Sequence, residues 1–397
     1  MKLLFLCHRI PYPPDKGDKI RSYHELRYLA ARHDVDLITT LDDPADQRHV
    51  ASVSSMVRSA TIVPLHRASA AVRAGVAVLT GGALTEAWFT PPALRTALRR
   101  ALEREHYDAV LVFSSAHARP ALASGVPTVL DFVDVDSAKW AAYAASCPAW
   151  SPRRSVYVLE AARMRSLESE TCARAFATLV CAQREVEALR AIAAPRRLEL
   201  VPNGTDTESF RPDAAVAREA LVVFSGAMDY RANADAVIWF AERAWPTIRA
   251  RVPQARLAIV GSNPGPAVQA LAARDGIEVT GRVDRVQPWL QRARVAVAPL
   301  QVARGIQNKV LEALACATPV VATPAALEGI PGARGTMPAA TPAELADAVV
   351  QLLTDPARAV RLGAEGRSFV LEASTWDSRL SRLDEVLREA ASSRIAR

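Results

Sequence analysis

Short apolar runs alternating with stretches of helical spacing limit the folds open to this chain, and residues 294–323 carry the pattern most compactly. Residues 294–299 (RVAVAP) read as a buried strand, Gly305 breaks the chain, residues 306–316 have helical apolar spacing, and 319–322 (PVVA) read as a second strand. Two strands joined by a crossover helix lie parallel in one sheet. A helix opening just after such a strand points unpaired N–H groups and the positive end of its dipole at the sheet's carboxyl edge. A diphosphate fits there. Asn308 and Glu312 share one face of this helix, Lys309 lies one step round, and Ile306, Val310, Leu311, Leu314 and Ala315 supply the buried side. In a site, Lys309 would neutralise phosphate oxygens and Glu312 would accept hydrogen bonds from two vicinal ribose hydroxyls. Spacing alone leaves open a surface lysine and a capping glutamate on an ordinary helix.

The alternation extends over the whole chain. Apolar runs at 2–7, 35–40, 60–64, 109–113, 127–130, 177–181 and 198–201 predict one sheet, and those at 220–225, 256–260 and 278–280 join the 294–322 unit in a second. Helices are expected over 20–32, 46–59, an interrupted 68–105, 153–175, 342–353, 356–372 and 376–389, with a loop over 329–338. A chain of 397 residues, half of them hydrophobic, has material for two cores. The expected domains are 1–205, 206–375 and a last helix, 376–397, crossing back to the first.

Five scattered cysteines predict neither a disulfide framework nor a zinc site. No signal peptide or membrane-spanning run is evident, so the expectation is a soluble cytoplasmic protein. The net charge of +7 divides as 26 basic against 21 acidic residues in 1–200 and 23 against 21 in 201–397. Without basic residues interleaved with aromatics, nucleic acid is not an expected partner. Peripheral contact with anionic lipid at the inner face of the plasma membrane and an arginine-rich genomic bias both stay open. Trp88 and Phe89 read as core or as a membrane-interface pair. Asp131, Asp134 and Asp136 suggest a metal, but Asp136-Ser137 is also a helix start; a cap and an acceptor pocket are preferred, with no metal or other cofactor expected.

The segment KVLEALACATPVVAT resembles the nucleotide-sugar segment of retaining glycosyltransferases of family 4, and VPNGTDTESFRP resembles that family's domain junction. The resemblance implies an α/β fold of the GT-B class, two Rossmann-like domains with parallel sheets facing a central cleft. It implies hexosyl transfer from a nucleotide-diphosphate sugar to a saccharide or lipid-linked acceptor, with retention. Lys309, Glu312 and His117 would then be catalytic; Gly226, Arg231, Asn233, Arg282, Arg304, Gly305, Ile306 and Gln307 would bind the donor; Gly17, Asp18 and Asp134 would lie on the acceptor side. Arg304 stands where the family has its first glutamate. PYPPDKGDKIRSYHEL and DFVDVDS look most like sugar transferases of exosortase and PEP-CTERM exopolysaccharide loci. Two rival readings are a sugar-nucleotide-binding protein without activity and a GT-B sugar-nucleotide epimerase.

Overall fold

The computed structural model describes residues 1–14, 17–303 and 306–395. It divides into two compact units, Met1–Asn203 with Arg379–Arg397, and Gly204–Ser378. Each is built on one parallel sheet.

The first sheet has seven strands, β1 (Lys2–Cys7), β2 (Asp34–Leu41), β3 (Ser59–Pro64), β4 (Ala109–Phe113), β5 (Thr128–Val133), β6 (Ala177–Val180) and β7 (Leu198–Leu200), in the order β3-β2-β1-β4-β5-β6-β7. The second has six, β8 (Glu219–Ser225), β9 (Arg256–Val260), β10 (Ile277–Gly281), β11 (Ala293–Ala298), β12 (Val320–Ala322) and β13 (Thr336–Pro338), ordered β10-β9-β8-β11-β12-β13. All pairings within both sheets are parallel. Strand order therefore reverses at β1/β4 in one sheet and at β8/β11 in the other. In open α/β sheets the crevice at such a reversal, beyond the carboxyl ends of the strands, is where ligands bind.

Helices cover both sheets, so the central strands read as unbroken apolar runs rather than alternating ones: Leu3, Leu4, Phe5 and Leu6 of β1, and Val222, Val223 and Phe224 of β8, are buried. The 68–105 stretch breaks where sequence chemistry requires: helix Arg67–Thr80 ends on Gly81 at φ +80°, and helix Pro92–Arg104 starts at Pro91-Pro92. Three expectations need correction. Residues 46–59 form a 3₁₀ turn, Pro44–His49, and a short helix, Val50–Ser54, rather than one long helix. The helix expected over 306–316 starts at Asn308. Within the expected loop 329–338, residues Thr336–Pro338 pair with β12, a three-residue edge strand too short to show periodicity.

The junction motif has a steric basis. A Cβ on Gly204 would lie 2.4 Å from the backbone of Trp376, and Thr205 N–H donates to the Ser374 carbonyl at 2.7 Å, so only glycine allows this approach. Asp206 Oδ1 accepts from the N–H groups of Glu208 and Ser209, and Arg367 holds the carbonyl of Phe210 at 2.7 Å. On the other side of the junction, Arg21 Nη1 donates to Asn203 Oδ1 at 2.9 Å and to the Val201 carbonyl at 2.8 Å.

Candidate functional site

In the second unit a pocket of about 520 Å³ opens at the β8/β11 reversal. Two glycine turns form one wall. Gly226 follows β8 and Gly261 follows β9, and a Cβ on Gly261 would sit 1.7 Å from the Gly226 carbonyl oxygen, so the turns stack backbone on backbone. Gly226 N–H donates to Val260 O at 3.0 Å and Met228 N–H to Ser262 O at 2.8 Å, which fixes their spacing. A Cβ on Gly226 would come within 3.2 Å of Lys309 Nζ, so this glycine keeps the space in front of the ammonium clear.

The opposite wall is the first turn of helix Asn308–Ala315, with Asn308, Lys309 and Glu312 lining the pocket. Gln307, its N-cap residue, gives the first turn no side-chain hydrogen bond. The turn thus keeps donor capacity for an anion, as does any helix start whose first N–H groups lack partners. Lys309 Nζ donates to Asn233 Oδ1 and stands 4.6 Å from the centre of the Phe224 ring. Asn233 is itself fixed, since its Nδ2 donates to the Ala227 carbonyl at 2.8 Å. Burial lowers the Lys309 pKa to about 8, against an upward pull from Glu312. Burial raises Glu312 to about 7, with Lys309 pulling it down. The Glu312 carboxylate accepts no hydrogen bond from a described side chain or loop N–H group. The pocket therefore presents a held cation and, one helical turn along, a carboxylate with its acceptor capacity unused.

Of the donor-side candidates, the structure brings Gly226, Arg282, Lys309 and Glu312 into this pocket and places Asn233 directly behind Lys309. Arg282 is exposed on the rim. Arg231 is outside it: its side chain is 93% exposed and pairs with Asp235 at 3.3 Å. Ile306 and Gln307 are half-buried just before the helix and do not line the pocket. Arg304 and Gly305 lie outside the described residues.

At the β1/β4 reversal of the first unit, a second constellation gathers. Gly17 begins helix Gly17–Ala30, and Asp18 Oδ2 accepts from Arg9 at 2.9 Å, with His8 Nε2 at 3.8 Å. Burial opposes ionisation of Asp18, but the hydrogen bond and charge of Arg9, with His8 and the Lys19 N–H group, together outweigh it and the carboxyl is held below its usual range. Arg9 also pairs with Asp42, beyond the end of β2, at 2.9 Å. His8 stacks on Phe113 and meets Phe89 edge-on. His117 has no exposed surface. Its Nε2–H donates to the Phe89 carbonyl at 2.9 Å, and its buried Nδ1 has no partner among the described residues. Burial keeps both rings neutral, His8 down to about 3 and His117 to about 4. Asp134 is half-buried and accepts from the Cys181 thiol at 3.5 Å, next to Val133 at φ +65°, an uncommon backbone for a β-branched residue. Asp136 starts its helix and accepts from Ser115 Oγ at 2.9 Å. No group of three or more His, Cys, Asp or Glu side chains among the described residues is arranged to hold a metal ion.

Sequence reading missed His8, Arg9 and Asp42, and the buried Arg21, whose guanidinium contacts Asp131 at 2.6 Å and Glu25 at 3.0 Å. For His8, Arg9 and Asp42 the one available signal was position, just past the carboxyl ends of β1 and β2; Arg21, inside helix Gly17–Ala30, carried none.

Comparison with known proteins adds to this geometry. Residues 20–209 match the model of Glycosyltransferase Family 4, and residues 219–355 match that of Glycosyl transferases group 1. A GDP-mannose-dependent alpha-(1-6)-phosphatidylinositol monomannoside mannosyltransferase of Mycolicibacterium smegmatis is 33% identical over 220 residues, 48% of this chain and 56% of the relative. A GDP-mannose-dependent monoacylated alpha-(1-6)-phosphatidylinositol monomannoside mannosyltransferase of Corynebacterium glutamicum is 27% identical over 217 residues, with the same coverage. The chain thus matches little more than half the length of these relatives. Among solved structures, sucrose-phosphate synthase from Thermosynechococcus elongatus superposes with a TM-score of 0.66 at 20% identity, covering 99% of this chain and 100% of that one. Anabaena Alr3699/HepE in complex with UDP gives 0.66 at 13% identity, covering 98% and 100%. The two successive parallel sheets are the GT-B class of α/β fold.

Proposed function

We propose that this chain, which matches the model of Glycosyltransferase Family 4 over residues 20–209 and that of Glycosyl transferases group 1 over residues 219–355, transfers a sugar from a nucleotide-diphosphate sugar to a saccharide or lipid-linked acceptor. The observation carrying the reading is one pocket that holds Lys309, Glu312 and the start of helix Asn308–Ala315 at the sheet reversal. The diphosphate sits against the first turn of helix Asn308–Ala315, with its charge met by Lys309. Glu312 accepts hydrogen bonds from the ribose hydroxyls.

Transfer breaks the bond from the anomeric carbon to the diphosphate oxygen and forms one to the acceptor oxygen. The acceptor's proton passes to the leaving phosphate on the same face, which gives retention without an enzymic nucleophile. Negative charge grows on the diphosphate in this step, so a cation fixed in advance by Asn233 stabilises the transition state more than the ground state. With a pKa of about 8 the free lysine is mostly protonated at pH 7, and a bound diphosphate raises its pKa further. Asp18 and Asp134 are assigned to the acceptor side. His117, enclosed and tied to the Phe89 carbonyl, is assigned a positioning role in place of the expected contact with the sugar. The relatives' printed activities make GDP-mannose the first donor to try, and the N-terminal motifs make exopolysaccharide precursors the first acceptors.

Lys309→Ala and Glu312→Ala are each expected to reduce transfer by at least about a hundredfold, the scale on which a preorganised charge contact acts, while the protein stays folded. Wild-type rates in both variants would end the proposal. Nucleotide binding by the wild type without transfer to any acceptor would favour the non-catalytic rival.

A further inference from the structure

The short helix that carries Lys309 and Glu312 has a partner for each carbonyl at its end. Cys316 N–H donates to Glu312 O at 3.1 Å, Thr318 N–H to Ala313 O at 2.9 Å and Ala317 N–H to Leu314 O at 2.9 Å. The last two bonds, with Ala317 at φ +53°, make a Schellman turn, in which glycine usually takes the place Ala317 holds here. The next three carbonyls, of Ala315, Cys316 and Ala317, go to arginines. Arg218 Nη2 donates to Cys316 O at 2.7 Å and to Ala317 O at 3.1 Å, and Arg367 Nη1 donates to Ala315 O at 2.7 Å. Neither guanidinium pairs with a carboxylate among the described residues, and burial lowers the pKa of both. What meets their charge is the negative end of the helix.

Each guanidinium has a second grip. Arg218 Nη1 holds the carbonyls of Leu290 at 3.2 Å and Ala293 at 2.6 Å, where β11 begins. Arg367 donates to Phe210 O at 2.7 Å through Nη1 and to Thr207 O at 3.2 Å through Nη2. Arg367 belongs to helix Pro356–Ala373, which meets the end of helix Asn308–Ala315 on two glycines: a Cβ on Gly363 would lie 2.1 Å from Ala317 O, and one on Gly366 2.5 Å from Leu314 Cδ2. A helix of eight residues has little stability of its own. The placement of its first turn, where Lys309 stands, therefore follows from what holds its last.

We propose that Arg367 is a positioning residue for the diphosphate pocket: it ties the carbonyl end of helix Asn308–Ala315 to residues 207–210, Arg218 ties the same end to β11, and together they set how Lys309 faces the ligand. The inference rests on the reading of that pocket as a nucleotide-diphosphate site. Titration calorimetry of the full-length protein with GDP tests it. Arg367→Lys keeps the positive charge but loses the fork that spans three carbonyls, and is expected to weaken GDP binding at least about fivefold. Made in Lys309→Ala protein, the same change should weaken binding less than about twofold, because the group it aims is gone. A residue that only held the fold together would cost the same in both proteins. Hydrogen exchange on the wild type is a second measurement that needs no variant to fold: GDP should slow exchange of the Glu208 and Ser209 amides, and the slowing should be lost in Arg367→Lys. Undiminished GDP affinity in Arg367→Lys, equal losses in the two backgrounds, or exchange at these amides indifferent to GDP would each overturn the proposal while leaving the pocket's assignment intact. Wild-type protein that binds neither GDP nor UDP would remove that assignment, and this inference with it.

Discussion

At the residue scale, the pocket is built from groups that cost stability where they stand. Glu312 is half-buried, accepts no hydrogen bond from a described side chain or loop N–H group, and has its pKa raised to about 7 by burial. A carboxyl with a higher pKa folded than unfolded binds more protons in the native state. Its contribution is therefore most favourable below the unfolded value of 4.5 and is lost as pH rises through about 7. Glu312→Gln is expected to stabilise the protein by about 1–3 kcal/mol at pH 8, after allowance for partial exposure, and to leave stability unchanged near pH 4. Melting temperatures at the two pH values check this. A carboxylate there for structural reasons alone would give the opposite sign at pH 8.

That Lys309 and Glu312 stand together near the start of a helix that follows a strand was legible in the sequence from helical spacing, whereas the pocket they line is seen only in the fold. Arg231 was misplaced because a helix's first residue can point either way, and only the fold shows it paired with Asp235 in solvent. His8, Arg9 and Asp42 were invisible because their meeting joins strand ends that are distant in sequence.

At the element scale, the glycine turns after β8 and β9 decide the shape of the pocket. Gly261→Ala would push a methyl group into the Gly226 carbonyl, 1.7 Å away by ideal geometry, so the two turns must separate and the wall facing Lys309 must move. The variant is expected to lose nucleotide affinity by an order of magnitude or more and to be destabilised by about 1–3 kcal/mol; titration calorimetry and urea unfolding measure the two effects. Most elements could be read from the sequence, since buried parallel strands are continuous apolar runs: 109–113 was expected with the observed boundaries. β13 could not, because a strand of Thr336, Met337 and Pro338 is set by its pairing with β12 and not by its own residues.

At the scale of the whole molecule, buried ion pairs tie elements together within the first unit. Arg21, with no exposed surface, joins helix Gly17–Ala30 to Asp131 of β5 and to the chain at Val201 and Asn203. Removing it leaves the enclosed Asp131 carboxyl without its guanidinium, so Arg21→Met is expected to cost about 3–5 kcal/mol in urea unfolding. A cost below about 1 kcal/mol would show that the cluster has no structural weight.

The central claim is that a helix start in the second unit receives a diphosphate while a carboxylate one turn along holds the attached ribose. Crystals of the full-length protein soaked with a nucleotide-diphosphate sugar test it most directly. The account predicts diphosphate oxygens within hydrogen-bond distance of Lys309 Nζ and ribose hydroxyls on Glu312. A nucleotide bound away from the Gly226 and Gly261 turns, or Glu312 directed out of the pocket with donor present, would contradict it.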